Sequence, residues 1–583
     1  MSGDDMDQDS GSTPTAPARP GRPVWPGRLV RLGSGAAVLL LAGAVVVAGT
    51  RWPAGAADAP VPAAQVSVPP ADTTLVCPGP LVLPEGAGRG GDFDPVPVDP
   101  VTSVAVVASA TGGGTVADLD AVGPDGARSD GARSDGARKT ELAAGASRLR
   151  LSDVTAAQVV RARPTDVPAR IAATSSSVVT AGDLRGLAAA SCQQPVADAW
   201  LVGGATDLSS SAHLVLSNPG STPAEVDLEA WGPSGPVDLP AERHLLAPGA
   251  QKTVQLGAVA VEQRRLVVHV TSTGGRVAAY VQDSTLDGFT PTGTDLVVPG
   301  VPPARRQVVP GVSVPTTEID SPDAAALRLL VPGDAPATAR LTLLGPDGPV
   351  TLPGAETVDL AAGAVTDVTL GGLPGGAYTA VVDASVPVAA AVVIARPGKA
   401  SELDDTPVRE RAWAASTAVG LGGAVAVPAG ARGTLVVSAV GKDVPDTGDA
   451  TADTGVAADD EGQGSGRVAT GTLRLLGGDG QVLAERTVRV PEGSTGAWRL
   501  EDLAGGDGTV TAGDPAAPEG AAVDGVVGAD LVPDDTDGVA LVWALVAGVS
   551  RPDGAFVSVV DPVPAQTTVP DVTVRSDPRL GVR

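Results

Sequence analysis

Two stretches of this chain, His213–Val237 and Ala326–Val350, superimpose residue for residue without a gap. Each reads as an alternating strand, a Pro-Gly turn, a second alternating strand and a Gly-Pro-x-Gly turn, so the chain is built from internal repeats. In Gly345-Pro346-Asp347-Gly348, Pro fixes φ at a turn's second position, Asp suits the third, and Gly accepts the left-handed conformation that closes a hairpin. The device returns at Gly123-Pro124-Asp125-Gly126, at Gly232-Pro233-Ser234-Gly235 and, degenerate, at Gly477-Gly478-Asp479-Gly480. Four modules are therefore expected, and 583 residues leave room for them at about 100–200 residues each.

Composition decides what fills those modules. Apolar residues make up 43% of the chain but aromatics only 2%, so the cores must be Val, Leu and Ala, which favours strands. The 75 Gly and 53 Pro follow no Gly-X-Y period and lie between apolar runs, as in a chain of short strands and many turns. The fold class expected is all-β: tandem immunoglobulin- or fibronectin-like β-sandwich modules after one N-terminal transmembrane helix. Module boundaries are expected near 72–195, 196–290, 320–400 and 410–565. Between the second and third lies a Pro-rich linker, 291–319, in which Val-Val-Pro-Gly-Val occurs twice; 566–583 is a tail. Two insertions read as exposed loops, the Asp-Gly-Ala-Arg-Ser pentads from Asp125 to Arg138 and an acidic run at 442–466.

The amino terminus sets the location. Residues 1–31 read as a disordered cytoplasmic tail that ends in Arg19, Arg22, Arg28 and Arg31. Leu32 to Thr50 holds no charge and, as a helix, rises about 28 Å against a hydrocarbon layer of about 30 Å. After Arg51 no basic residue follows until Arg89, which places the bulk outside the membrane, beyond an extended spacer at 51–71. The alternative is a signal peptide cleaved near Ala54-Gly55-Ala56, which makes the protein secreted; the long apolar core favours a retained anchor. Cys77 and Cys192, the two cysteines, then lie in an oxidising compartment and pair as a disulfide. The net charge of −27 excludes nucleic acid as a partner, because phosphate binding needs Lys and Arg.

No catalytic, metal or cofactor site is expected. The acidic run from Asp443 to Glu461 lacks a calcium-loop pattern, and Gly505-Gly506-Asp507-Gly508 occurs once where a β-roll needs tandem copies. His213, His244 and His269 form no zinc-ligand spacing, and Gly464-Ser465-Gly466 is no nucleophile elbow. A possible ligand contact is Trp231 with Asp227 and Glu229, which share the outward face of a strand whose inward face is Val226, Leu228 and Ala230. Packing is the preferred reading of Trp231, since Leu344, Leu476 and Val122 stand at its position in the other modules.

From Ala199 to Ser284 the chain carries Trp200-Leu-Val-Gly-Gly, Leu216-Ser-Asn-Pro-Gly, Trp231-Gly-Pro-Ser-Gly and Pro248-Gly249 before a strand, after an opening Cys77-Pro-Gly-Pro. In these it resembles a family of actinobacterial envelope proteins known only as a domain of unknown function. The scarcity of Lys, four residues, suits such a GC-rich origin. The resemblance implies a membrane-anchored protein and carries no catalytic residues. The function expected is that of a non-enzymatic structural or interaction protein of the cell envelope, held to the membrane by one helix, with envelope proteins as partners. The alternatives are a cell-wall polysaccharide binder and, third, an envelope glycoside hydrolase with paired carboxylates.

Overall fold

The computed structural model describes residues 29–51, 64–66, 70–82, 98, 100–108, 116–122, 140–142, 148–164, 168–352, 354–400, 406–442, 466–478, 481–505, 508–513, 525–565 and 572–574. The chain divides into two compact units, Met1–Val68 with Pro570–Arg583, and Pro69–Val569. In the first, Leu29–Arg51 is helical. No helix among the described residues is long and apolar enough to cross a membrane. Ala64–Val66 pairs antiparallel with Val572–Val574. These short β segments replace part of the expected spacer and tail, in keeping with the β-branched run Val572-Thr573-Val574.

The second unit is predominantly β, and one strand plan recurs in it four times. Its fullest form is Asp198–Val202, Ser210–Ser217, Ala224–Gly232, Arg243–Leu246, Gln251–Gln255, Val267–Thr273, Ala278–Asp287 and Thr290–Val297. The first of these strands pairs with the sixth, the sixth with the third, and the third with the fourth. In a second sheet the fifth pairs with the second, the second with the seventh, and the seventh with the eighth. The same six pairings occur in the repeat from Thr73–Cys77 to Gly186–Ser191. They occur again from Gly423–Ala426 to Gly554–Val560. The third repeat, Ala304–Val314 to Pro407–Ala415, differs in one respect: the 25-residue strand Gly376–Ala400 runs through both sheets as sixth and seventh strand together.

This plan corrects the expected linker at 291–319. Thr290–Val297 is the last strand of the second repeat and Ala304–Val314 the first of the third. The Pro310-Gly311 pair, which reads as a turn, is absorbed as a bulge: the register shifts between Val309 and Val312, and Gly311 takes φ +77°. The hairpin device behaves as the sequence indicates where it is described. Gly232 pairs with Gly235 and Gly345 with Gly348, and Gly235 and Gly348 adopt φ of +126° and +121°. The copies at 123–126 and 477–480 lie wholly or partly outside the described residues, as do the pentads and nearly all of the acidic insertion.

Each core is shared between the sheets of a repeat and then between repeats. Leu214, Leu216 and Val281 of one sheet meet Val226, Leu228 and Val268 of the other, and the same cluster takes in Leu330, Ala389 and Ala391 of the third repeat. The third repeat's core includes Ala544, Val546 and Val559 of the fourth. The first repeat's core includes Ala426, Leu476 and Val527 of the fourth, and Leu184 and Ala188 join Val215 and Leu296 of the second. Burial is thus continuous around a closed circuit. The Cys77–Cys192 disulfide forms, tying the first strand of repeat one to the residue that follows its eighth.

Candidate functional site

The eighth strand of every repeat is an edge, paired only with the seventh. Bare edges invite pairing with other chains unless something covers them. Here they cover one another. Gly186–Ser191 lies against Thr290–Val297, which lies against Pro407–Ala415, which lies against Gly554–Val560, which returns to Gly186–Ser191. The unpaired edge groups meet side chains from the opposing strands. Glu410 Oε1 accepts the Leu187 N–H at 2.8 Å and the Val557 N–H at 3.4 Å. Asp295 Oδ2 accepts the Trp413 N–H at 2.8 Å.

Both acids are sealed, Asp295 at 1% exposure and Glu410 at 2%, and burial holds both carboxyls well above their ordinary values. The geometry at Ser558 agrees. Its Oγ accepts the Ala189 N–H at 3.2 Å and stands 2.8 Å from Ala189 O and 2.9 Å from Asp295 Oδ1. A hydroxyl has one proton, and with it on Ala189 O the contact to Asp295 is completed by the proton of a neutral carboxyl. At one end of this line Arg185, 4% exposed, donates to Asp553 at 2.8 Å and lies over Phe556 at 4.7 Å. Against the upward push of burial, the hydrogen bond and charge of Arg185 hold Asp553 below its ordinary value. Arg185 Nη1 stands 3.9 Å from Glu410 Oε2. Beside Asp295, Asp283 accepts the Trp413 indole N–H at 2.9 Å.

At the other end of the line opens a pocket of about 450 Å³. Its walls are the segments that leave the four eighth strands: 190–194, 298–302, 416–418 with Leu421, and 561–564, closed by Trp543 and Val559. The walls are mostly apolar, yet Asp561 Oδ1, both amide atoms of Gln193, Trp543 Nε1 and Thr417 Oγ1 are shielded from solvent without a hydrogen-bond partner. Asp561 keeps some accessible surface, but burial of its carboxyl pushes it up to about 7.

The residues singled out from sequence lie elsewhere. Trp231 does share a face with Asp227 and Glu229, but it is only 8% exposed and stacks on Trp200 with ring centroids 5.4 Å apart. The exposed aromatic platform is therefore absent; Trp231 belongs to the apolar cluster shared with the third repeat. Asp227 and Glu225 pair with Arg243, and Glu229 holds His269 Nδ1 at 2.9 Å while Asp198 approaches its Nε2 at 3.2 Å. His213 sits in one sheet of the repeat and His244 and His269 in the other. Among the described residues no group of three His, Cys, Asp or Glu is placed to hold a metal ion. Asp295, Glu410, Arg185 and Asp561 carry no motif: Asp295 is the one charge in the Thr-rich strand Thr290–Val297, Glu410 lies between Arg409 and Arg411 in Pro407–Ala415, and Arg185 and Asp561 each flank a strand.

Four repeats of one antiparallel plan, closed on their own edges and stapled by a disulfide, define a predominantly β protein of several sheets. The pattern of a family of unknown function, DUF5719, matches residues 149–466, more than half of the chain, and the chain belongs to that family. The match contains Arg185, Asp295, Glu410 and three of the four converging strands, and stops short of Ser558 and Asp561. No curated protein matches the chain.

Proposed function

We propose that this is a non-enzymatic structural or interaction protein of the cell envelope, anchored by its N-terminal helix with the repeats outside the membrane. The observation that carries the reading is the closed circuit of edge strands, which fuses four repeats into one body with fixed outer surfaces. Such a body is suited to holding partners in register. The buried acids of the junction serve the backbone of neighbouring strands, a structural task. They are sealed from any sugar, which leaves the paired-carboxylate hydrolase without support from this pair. The disulfide suits an oxidising compartment. Val38, Leu39, Leu40 and Leu41 of the N-terminal helix are 67–75% exposed within the protein, a pattern that lipid would cover. Polysaccharide binding draws less support, because Trp231 is packed.

A C-terminal alkaline phosphatase fusion tests the location, with activity in intact cells expected. Activity only from a cytosolic reporter at the same position would overturn it. Crosslinking in native membranes, expected to recover envelope proteins, tests the partner class. N-terminal sequencing of the mature protein separates the retained anchor from cleavage near Ala54.

A further inference from the structure

The pocket at the end of the junction goes beyond that reading, on which only the source of its ligand rests. We propose that it binds a single alkyl chain whose polar head stays in water at the mouth. Four features lead there. Its volume of about 450 Å³ falls in the range of small-molecule sites, about 300–1,000 Å³, and is about three times that of a cavity that holds benzene. It is walled by the equivalent exit segment of every repeat, so closure of the circuit makes it and no repeat holds it alone. Its polar groups are turned away from it. Ser191 Oγ donates to Asp561 O at 2.5 Å and Asp198 Oδ2 stands 3.2 Å from His269 Nε2, while Asp561 Oδ1, Thr417 Oγ1, Trp543 Nε1 and both Gln193 amide atoms are shielded from solvent. What the walls present is then largely the carbon of Val, Pro, Leu and Ala. Finally, of the exposed lining residues Pro302, Ala418, Leu421 and Pro564 are apolar, and only Asp198 carries a charge.

These select the guest. A peptide would bring backbone N–H and C=O groups that such walls leave unpaired, and an anion would find no Lys or Arg among the lining residues. An alkyl chain needs no hydrogen bond and gains from every methylene it buries. Val563 and Pro564 also line a small cavity with Thr73 and Ala565, so the pocket adjoins both ends of the unit Pro69–Val569. The first of those ends leads along the chain to the helix Leu29–Arg51, which on the anchored reading makes a bilayer lipid the source of the alkyl chain.

Quenching of Trp543 by brominated alkanols tests this in the full-length chain, held in digitonin, a detergent without an alkyl chain. Trp543 closes the pocket at 1% exposure and its Nε1 makes no hydrogen bond, so Trp543→Phe removes none, and wild type minus variant isolates its signal. The ω-bromododecanol probe is expected to quench that difference saturably, one to one. The ω-bromohexanol probe should bind more weakly, by about fourfold for each methylene that the pocket no longer buries. Leu421→Asp, at a rim position 47% exposed, should weaken the longer probe about tenfold. Phosphatidylcholine brominated on one acyl chain, in bilayers holding the protein, should quench the same signal; quenching by the alkanol alone makes the ligand a soluble one. The proposal is overturned by the absence of saturable quenching, by equal affinity for the two alkanols, or by full affinity in Leu421→Asp. Should Trp543→Phe not fold, isothermal titration of both alkanols into the wild type and Leu421→Asp decides by the same criteria. A cytosolic reporter at the carboxyl end would remove the bilayer as source and leave the alkanol titration untouched.

Discussion

Glu410 gives the sharpest test of how the junction holds. Its Oε1 serves two edge-strand N–H groups from different repeats, at 2.8 and 3.4 Å. Glu410→Ala strands both donors in a dry interior, about 2 kcal/mol for the close bond and about 1 for the long one, so a loss of about 3 kcal/mol is expected. Glu410→Gln keeps the Oε1 acceptor and should stay within about 1 kcal/mol of the wild type. The pH dependence has a definite sign. Burial raises the folded carboxyl above its unfolded value, so the folded protein binds the proton more tightly. That contribution is complete below about pH 4.3 and is lost as pH rises through the folded value. Gln does not titrate, and Asp295 and Asp561 titrate in both proteins. The gap between wild type and Glu410→Gln should therefore move in favour of Gln as pH rises above about 4.3. Urea denaturation of the full-length chain, followed by near-ultraviolet circular dichroism, reads both effects. A Gln variant as damaged as the Ala variant, or a gap that ignores pH, would refute a neutral Glu410 capping two strands.

Three further outcomes follow from the same geometry. Replacing Cys77 and Cys192 by Ala opens a loop with a sequence separation of 115 and should lower stability by about 2–5 kcal/mol in thermal unfolding, an effect that reductant reproduces in the wild type. Trp231→Ala should cost about 3–5 kcal/mol of stability and leave retention on isolated cell walls unchanged, whereas a binding platform would show the reverse. Arg328, 3% exposed, donates to Asp367 at 2.9 and 3.1 Å and to Gly204 O at 2.6 Å, and its guanidinium lies over Trp413 at 5.0 Å. Arg328→Met should cost about 3 kcal/mol and expose the joint between the second and third repeats to limited proteolysis.

What could be read from sequence was whatever is local. The Gly-Pro-x-Gly hairpins, the alternation of Ala224–Gly232 and the pairing of the two cysteines each follow from neighbouring residues or from a count. The errors lie where a local signal has a distant resolution. Pro310-Gly311 has turn chemistry, but a Cβ on Gly311 would stand 2.9 Å from Val559 Cγ1; this glycine allows a close approach of the fourth repeat within a bulged strand. Trp231 alternates outward as expected and is buried there by stacking on Trp200, in a strand of the same sheet 31 residues earlier, a contact that spacing does not announce. The junction was illegible for the same reason. The Asp295 partner Ser558 lies 263 residues away and the Glu410 partner Leu187 lies 223 away, so neither acid announces its role by spacing.

The head-to-tail closure also limits how this architecture can vary. An open stack of repeats can grow or shrink by whole units, because its ends are capped and each unit touches only its neighbours. A closed set has no ends. Removing a unit would uncover apolar surface on both sides of the gap, and a fifth would have no vacancy to enter. Variation in length is then confined to the connections between strands, and it is between Val116–Ala121 and Thr140–Leu142, and between Arg432–Gly441 and Val468–Gly477, that the sequence carries its pentads and its acidic run.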